Sequence, residues 1–307
     1  MPFEILILGS GAATPTFNRN CSAQYLTICG TQVLIDCGES TQNQIRKYHK
    51  KFQTIKAIFI SHLHGDHVYG LFPLISTLGL YGRRTPLRVY APAPFGEMLE
   101  AHLRLFDQEL PYEVEWVEVD TTKHRLVSEN RTVEIWTIPL RHRVPCCGYL
   151  FREKEPGLNV EKFKIAKYNL SIAQITAAKR GEDVTLEDGT VLRNEELTYR
   201  PYRARSYAYL SDTNFSAKVA NLCRGVDLMY HEATYAAAEQ RTARQRGHAT
   251  TIDAAKAALK AEARGLIIGH YSARYKTLEP LLEEARTLFQ NTALAIEGEE
   301  FTIEKQP

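Results

Sequence analysis

The segment AIFISHLHGDHVYG, at residues 57–70, places four potential metal ligands within six positions directly after an apolar strand. The four side chains are His62, His64, Asp66 and His67. Neutral imidazole and carboxylate groups are common ligands of zinc in proteins. Four such groups so close together in the chain cannot all bind one ion with good geometry, so the segment indicates a site for two ions.

Further possible ligands lie at the ends of other predicted strands. His142 follows the strand TVEIWTI, Asp212 ends the strand YAYLSD, and His270 ends the strand GLIIGH. Predicted helices alternate with the strands, and mixed strands with helices outside them form a layered, sheet-based domain. Because strand ends on one edge of such a domain converge in space, we expect these three residues to join the histidine cluster.

The first 36 residues are typical of β-strands separated by turns. Strands are predicted at 3–9, 23–29 and 32–36, the last two joined by a hairpin turn at Gly30-Thr31. Two later helices have recognisable N-terminal caps, at Ser40 or Thr41 and at Thr250 or Thr251.

The number of candidate ligands indicates the number of metal ions. Two zinc ions need about six to eight protein contacts when water fills the remaining positions. We therefore predict two groups of three ligands and one bridging carboxylate, which are His62, His64 and His142; Asp66, His67 and His270; and Asp212. Two ions roughly 3.5–4 Å apart can activate water and hold the attacking and leaving oxygens, which suits phosphodiester hydrolysis.

The composition gives little information about binding partners, and it suggests a cytoplasmic protein. The formal net charge is +2, too small by itself to indicate binding to nucleic acid or membrane. The six cysteines form no Cys-x-x-Cys pair and no disulfide-scaffold spacing, so we expect free thiols. The N-terminal MPFEILILGS lacks the basic region of a signal peptide, and no apolar run approaches the roughly 18 residues of a membrane span.

Several motifs together identify a family. SHLHGDH is the H-x-H-x-D-H motif of the metallo-β-lactamase superfamily, and the chain is similar nearly end to end to short-form ribonuclease Z, the tRNA 3′-processing endonuclease family. The segments that carry the resemblance follow in family order and are LGSGAATPTFNRN, IDCGESTQ, GDHVYGLFPLI, LSDT, HEATY, HATT and GHYSARY. The chain is identified as a member of this family on the whole set, because the histidine motif alone is shared by the superfamily.

The resemblance implies a fold and a set of catalytic residues. The expected fold is a single α/β domain over residues 1–307, an αββα four-layer sandwich, with two zinc ions per chain on the seven residues above. The family assigns the proton acceptor to Asp66; because an aspartate that touches zinc is a weak base, its expected role is to orient the attacking water. Glu232 and His248 match two further catalytic residues of the family. The alternative is that they only hold His270 or its loop in position. Arg19 and Arg274 are expected to contact substrate.

Residues 152–205 interrupt the pattern of strands and helices, and we predict an insertion with no share in the main core. The resemblance assigns it to the family's protruding arm, an exosite for tRNA. Between positions 161 and 180, five basic residues stand against one acid, an excess that favours phosphate binding. The basic residues are Lys162, Lys164, Lys167, Lys179 and Arg180. The family's Gly-Pro-rich tip is absent, since KYNLSIAQITAAK contains neither residue.

The resulting functional prediction is a zinc-dependent endoribonuclease that cuts precursor tRNA after the discriminator base. It would leave a 3′-hydroxyl on the tRNA and a 5′-phosphate on the trailer. Two alternatives remain: a broader phosphodiesterase or exoribonuclease on the same two-zinc core, and an RNA-binding member with a silent metal site. The resemblance also implies a homodimer, in which the arm of one subunit holds tRNA cut by the other.

Overall fold

The computed structural model describes residues 1–106 and 109–306. Its strands are β1 (Phe3–Gly9), β2 (Ala23–Ile28), β3 (Thr31–Ile35), β4 (Ile55–Phe59), β5 (Leu87–Ala91), β6 (Val114–Glu118), β7 (Leu126–Glu129), β8 (Val133–Pro139), β9 (Cys147–Glu153), β10 (Asn159–Val160), β11 (Val184–Thr185), β12 (Val191–Leu192), β13 (Thr198–Tyr199), β14 (Ser206–Leu210), β15 (Leu228–Glu232), β16 (Gly265–Gly269), β17 (Thr292–Leu294) and β18 (Glu300–Thr302). Its α-helices are α1 (Thr41–Lys47), α2 (Gly65–Val68), α3 (Leu71–Leu80), α4 (Phe95–Leu105), α5 (Lys162–Lys167), α6 (Ile172–Lys179), α7 (Asn194–Leu197), α8 (Ala217–Leu222), α9 (Gln240–Arg246), α10 (Thr251–Lys260) and α11 (Glu279–Arg286).

Two large mixed sheets form the centre of the molecule. The first has the strand order β18-β1-β2-β3-β4-β5-β6 and the second has the order β17-β16-β15-β14-β9-β8-β7. Strands β3 to β6 run parallel to one another, as do β14 to β17. None of the helices in the described part of the chain is long and apolar enough to cross a membrane.

Three apolar cores define four layers, which confirms the predicted αββα sandwich. The central core packs the two sheets face to face, a second core lies between the first sheet and helices α1, α3 and α4, and a third lies between the second sheet and helices α8, α10 and α11. Strand β1 is apolar at almost every position because it is buried on both faces. Its residues Phe3, Ile5 and Ile7 point to the central core, whereas Leu6 and Leu8 point to the helices.

Local details refine two predictions from the sequence. The hairpin turn between β2 and β3 is made by Cys29 and Gly30, both with positive φ, and Thr31 already belongs to β3. Thr250 caps α10 through a capping box with Asp253, as predicted. At α1, Ser40 occupies the N-cap position with a φ of 69° but makes no side-chain cap hydrogen bond.

Four strands of the two sheets end at the same edge of the sandwich. His62 follows β4 of the first sheet, while His142, Asp212 and His270 follow β8, β14 and β16 of the second. Glu232 is the last residue of β15, which lies between β14 and β16. This edge therefore collects side chains from positions more than two hundred residues apart in the chain.

The segment between β9 and β14 forms a small structure of its own, which we call the arm (residues 152–205). The strands β10 and β13 pair at its base, and β11 and β12 form a second short ladder. Its buried apolar residues form a core of their own, and they are Val160, Leu170, Ala178, Val184, Leu192 and Leu197. The region without Gly or Pro contains the end of α5 and all of α6, and a capping box of Ser171 and Gln174 starts α6.

A buried ion pair fastens the base of the arm to the sandwich. Glu153 ends β9 and Arg205 immediately precedes β14, so the two residues stand where the arm leaves and rejoins the sheet. Both side chains are less than 5% exposed, and the Glu153 carboxylate accepts hydrogen bonds from Arg205 Nε at 2.9 Å and Nη2 at 2.7 Å. The same guanidinium donates to the carbonyls of Met1 and Ile303 and so ties both ends of the chain to this point.

We expect Glu153→Gln to destabilise the fold by about 3 kcal/mol, because it leaves the buried guanidinium of Arg205 without a compensating charge. Urea unfolding of the variant and the wild type measures the difference. The matched control is Arg88→Gln, which breaks an exposed pair with Glu115 and should cost at most about 1 kcal/mol. Equal losses of stability for the two variants would contradict the structural role of the buried pair.

Candidate metal centre

Three histidines and one aspartate form the first group of possible ligands. His64 Nδ1 lies 3.0 Å from His62 Nε2 and 3.4 Å from His142 Nε2. Asp212 Oδ2 lies 3.6 Å from His62 Nε2 and 3.8 Å from His142 Nε2. Tetrahedral zinc with Zn–N bonds of about 2.0–2.1 Å separates its ligand nitrogens by roughly 3.4 Å. The spacing of these atoms therefore fits ligands of a common ion.

A second group lies beside the first. His67 Nε2 and His270 Nε2 are 3.3 Å apart, and each is 3.5 Å from Asp66 Oδ2. Asp212 Oδ1 approaches His270 Nε2 to 3.2 Å and His67 Nε2 to 3.5 Å. One carboxylate oxygen of Asp212 thus faces each group, which is the arrangement of a bridging ligand. The structure brings together all seven ligand candidates named from the sequence.

Hydrogen bonds at Nδ1 hold four of the histidines with Nε2 directed at the cluster. His67 Nδ1 donates to Asp36 Oδ2 at 2.7 Å, and His142 Nδ1 donates to the carbonyl of Gly247 at 2.8 Å. The Nδ1 atoms of His62 and His270 lie 3.0 Å from Ser61 Oγ and 2.9 Å from Thr234 Oγ1. A protonated Nδ1 leaves the lone pair of Nε2 free, which is the form that binds metal.

Asp36 is a supporting residue that our sequence analysis did not assign to the site. Its carboxylate is fully buried and accepts hydrogen bonds from the Ser61 amide, the Ser61 hydroxyl, His67 and Tyr209. The segment IDCGESTQ contains it, and its position directly after β3, the parallel neighbour of β4, was the available signal. Thr234, whose hydroxyl lies against His270 Nδ1, also follows a strand, β15, and was not assigned to the site either.

Burial and charge in the cluster also favour a bound cation. Burial lowers the pKa of His62, His64 and His142, so these imidazoles remain neutral. Burial alone would raise the pKa of Asp212, but the surrounding histidines, His270 first, hold it below its usual range. Around His67 burial lowers the pKa and three carboxylates raise it more strongly, the largest effect coming from Asp212. This local excess of negative charge is suited to a metal ion in place of the proton.

Glu232 and His248 form a pair at the border of the cluster. Glu232 is fully buried, and its Oε1 accepts hydrogen bonds from His248 Nδ1 at 2.9 Å and from the Thr213 amide at 2.8 Å. Burial lowers the pKa of His248, but the Glu232 carboxylate raises it to about 9. No described residue is hydrogen-bonded to His248 Nε2. His248 also lies close enough to Asp212 and His270 to complete a third possible ligand group.

A cavity of about 560 Å³ opens over the cluster. Asp66 lies in its wall, where Oδ2 accepts a hydrogen bond of 2.7 Å from the Ala13 amide. Exposed Tyr69, together with Arg143 and Arg246, lines the same cavity. The cluster is therefore open to a ligand from solvent, and the two arginines beside it are available to negatively charged groups of that ligand.

The remaining candidates from the sequence lie at different distances from this cavity. Arg19 donates to the carbonyl of Tyr275 at 2.7 Å and contacts that of Ser272, so its guanidinium joins two loops. Arg274 pairs with Glu239 and lies over the ring of Tyr235, a residue of the cavity wall. The five basic arm residues, Lys162, Lys164, Lys167, Lys179 and Arg180, do not line this cavity.

The chain is similar to known proteins over nearly its whole length. It is 41% identical to ribonuclease Z of Parabacteroides distasonis over 98% of this chain and 99% of that protein, and 42% identical to ribonuclease Z of Bacteroides fragilis over 96% and 97%. Among solved structures, human tRNase Z, short form, aligns with a TM-score of 0.71 and 26% identity, over 98% of this chain and 99% of that chain. The metallo-β-lactamase fold protein YhfI from Bacillus subtilis, at 17% identity, shares the fold with a TM-score of 0.70, over 99% of this chain and 100% of that chain. A family model described as anti-Pycsar protein Apyc1 matches residues 3–152.

We expect Asp36→Asn to weaken metal binding by about 10- to 100-fold, because it removes the carboxylate that orients His67. Titration of metal against a competing chelator measures the affinity, and circular dichroism checks the fold. Asp120→Asn, at a partly exposed aspartate hydrogen-bonded to Thr122, serves as the control and should bind metal like the wild type. Unchanged affinity in the folded Asp36 variant would show that the carboxylate has no part in the centre.

Proposed function

The chain belongs to the ribonuclease Z family of hydrolases, and we propose that it removes the 3′ trailer from precursor tRNA by endonucleolytic cleavage after the discriminator base. The products would be a tRNA with a 3′-hydroxyl and a trailer with a 5′-phosphate. The observation that carries the proposal is the shared carboxylate of Asp212, with one oxygen toward each of two ligand groups in an open cavity. Family membership supplies the substrate.

Zinc is the metal that the ligand set favours. Five of the seven residues are histidines, whose borderline nitrogen ligands suit zinc, and only two supply the carboxylate oxygens that magnesium or calcium prefer. His62, His64 and His142 would hold one ion, Asp66, His67 and His270 the other, and Asp212 both. When bound, the pair of ions would lower the pKa of water and neutralise charge on the phosphate.

The side chains of the chain itself would orient water and move protons. Asp66, fixed by the Ala13 amide, would hold the attacking water in line with the scissile phosphate. His248 would donate its Nε2 proton to the departing 3′ oxygen, while Glu232 accepts from Nδ1 and keeps the ring protonated. The buried position of Glu232 and the exposure of His248 to the cavity support this division.

The arm would bind tRNA at a distance from the cut. Its cations stand on a small folded unit whose core is separate from that of the sandwich, which suits a projecting contact with phosphate. Lys162, Lys167, Lys179 and Arg180 are exposed, whereas Lys164 is partly occupied by Glu161 and the carbonyl of Glu196. Arg19 and Arg274 are proposed to contact the acceptor end. The homodimer and the cytoplasmic location remain predictions from the sequence.

The decisive experiment incubates the zinc-loaded protein with an end-labelled precursor tRNA and maps the cut. We expect a single cut after the discriminator base. His248→Ala should retain zinc and lower the turnover of this substrate by about 10²- to 10⁴-fold, because the departing 3′ oxygen is no longer protonated. Bis(p-nitrophenyl) phosphate, whose leaving group needs no proton, should be affected far less.

The control for His248 is His102→Gln, which alters a histidine on α4 outside the cavity. Loss of zinc in His248→Ala, or equal loss of activity on the two substrates, would make the Glu232–His248 pair a structural support. Stepwise shortening from the 3′ end would favour the exoribonuclease alternative. Tight RNA binding without cleavage would favour the alternative of an RNA-binding family member whose metal site is inactive.

The proposed role of the basic arm residues in tRNA binding leads to a separate prediction. Changing Lys162 and Lys167 together to Gln should weaken binding of precursor tRNA and reduce the slope of log K against log salt by roughly 0.7–0.9 for each phosphate that the arm no longer binds. Filter binding at several salt concentrations measures both effects. The matched control changes Lys218 and Lys260, exposed lysines on α8 and α10, and should leave the slope unchanged. Equal slopes for the two double variants would refute the arm as a tRNA-binding site.

A further inference from the structure

A second cavity lies on the other side of His248. Its volume is about 290 Å³, near the lower end of the roughly 300–1,000 Å³ of small-molecule sites. His248 lines both cavities, so the metal cavity and this second space adjoin at one residue. Arg141, Phe215 and Arg244 also line it. Two adjoining cavities are the arrangement that a chain-like ligand occupying both would need.

The loop around His142 and the end of α9 each place arginines in both cavities. Arg141 and Arg143 flank His142. Arg141 lines the second cavity, and Arg143 lines the metal cavity. Arg244 and Arg246, from the end of α9, are divided between the cavities in the same way. The contact between the loops is close, because His142 Nδ1 bonds to the carbonyl of Gly247 and a Cβ at this glycine would lie 3.0 Å from the same nitrogen.

The arginines of the second cavity are available to a ligand. Both Arg141 and Arg244 are exposed, and neither guanidinium has a hydrogen bond or ion pair with another described residue. The one acid in the described lining, Asp253, is engaged by Gln240 Nε2 at 2.8 Å and by the Thr250 amide at 3.3 Å. The two unpaired guanidinium groups therefore make the lining of this cavity positively charged, which suits the binding of a phosphate group.

The lining also offers contacts for the rest of a nucleotide. Phe215 is half-buried, with one part of its ring packed on the third apolar core and another in the cavity wall. Gln240 is held between Asp253 and the hydroxyl of Thr250, so its side chain is fixed in place. Aromatic rings and arginines together are the usual means by which proteins bind single-stranded RNA.

We propose that this cavity binds the nucleotide immediately 5′ of the cut, with Arg141 and Arg244 on its 5′-phosphate and Phe215 against its ribose or base. The inference rests on the proposed function, because the direction of the strand follows from the role of His248. The departing 3′ oxygen belongs to the last nucleotide that the product retains. That nucleotide must therefore lie next to His248, which also lines the second cavity.

The test is a double-mutant cycle between protein and RNA. Single-turnover cleavage is measured for wild type and for Arg141→Gln/Arg244→Gln, on RNAs with one neutral methylphosphonate linkage placed either one position 5′ or one position 3′ of the scissile phosphate. We expect the double variant to cleave unmodified RNA about 10- to 100-fold more slowly, the range of a charged hydrogen bond. The 5′ methylphosphonate should slow the wild type by a similar factor and the double variant hardly at all.

The 3′ methylphosphonate serves as the internal control and should slow both proteins equally. Arg84→Gln, at an exposed arginine after α3 that lines neither cavity, should behave like the wild type. Metal content and circular dichroism verify that each variant is intact. The proposal is overturned if the double variant stays as sensitive as the wild type to the 5′ methylphosphonate, or if it cleaves unmodified RNA at the wild-type rate. A wild-type cut elsewhere than after the discriminator base would refute the proposed function alone, because the same cycle can be run across the observed cut.

Discussion

The buried carboxylate of Asp36 joins the two sheets at the edge where the centre forms. It accepts hydrogen bonds from Ser61 and His67, which follow β4 of the first sheet, and from Tyr209 of β14 in the second. A buried charge of this kind is stable only if its acceptor capacity is satisfied, so the two sheets are held in one relative position. The spacing between His67, from the first sheet, and Asp212, from the second, depends on that position.

Much of the candidate metal centre was predictable because several of its ligands directly follow strands. His62, His142, Asp212 and His270 each follow a strand, and strands that run the same way in a layered fold end at one edge. Asp36 obeys the same rule but was missed, because a single aspartate after a strand is indistinguishable in sequence from a turn residue. Its function appears only when Tyr209, from the other sheet, is seen to donate to it.

The elements that the sequence did not predict are short or lack a repeating apolar pattern. Strands β17 and β18 have three residues each, too few to show alternation, and α9 buries only Ala243 in QRTARQR. Strand β9 is a different case, since Cys147–Glu153 is buried at six of its seven positions and ends in a charged pair. The polar end of β9 is explained by Arg205, which lies fifty-two residues further along the chain.

The alternation of Arg141, His142 and Arg143 has a consequence for how the enzyme diversifies. The central residue is constrained by the metal centre and by its bond to Gly247, whereas the guanidinium groups of its two neighbours are exposed and unpaired among the described residues. Mutations at positions 141 and 143 can therefore change the positive charge that lines the two cavities without replacing a candidate metal ligand. The charge beside the centre and a candidate ligand of the centre are thus carried by adjacent residues of one loop, and selection can act on them separately.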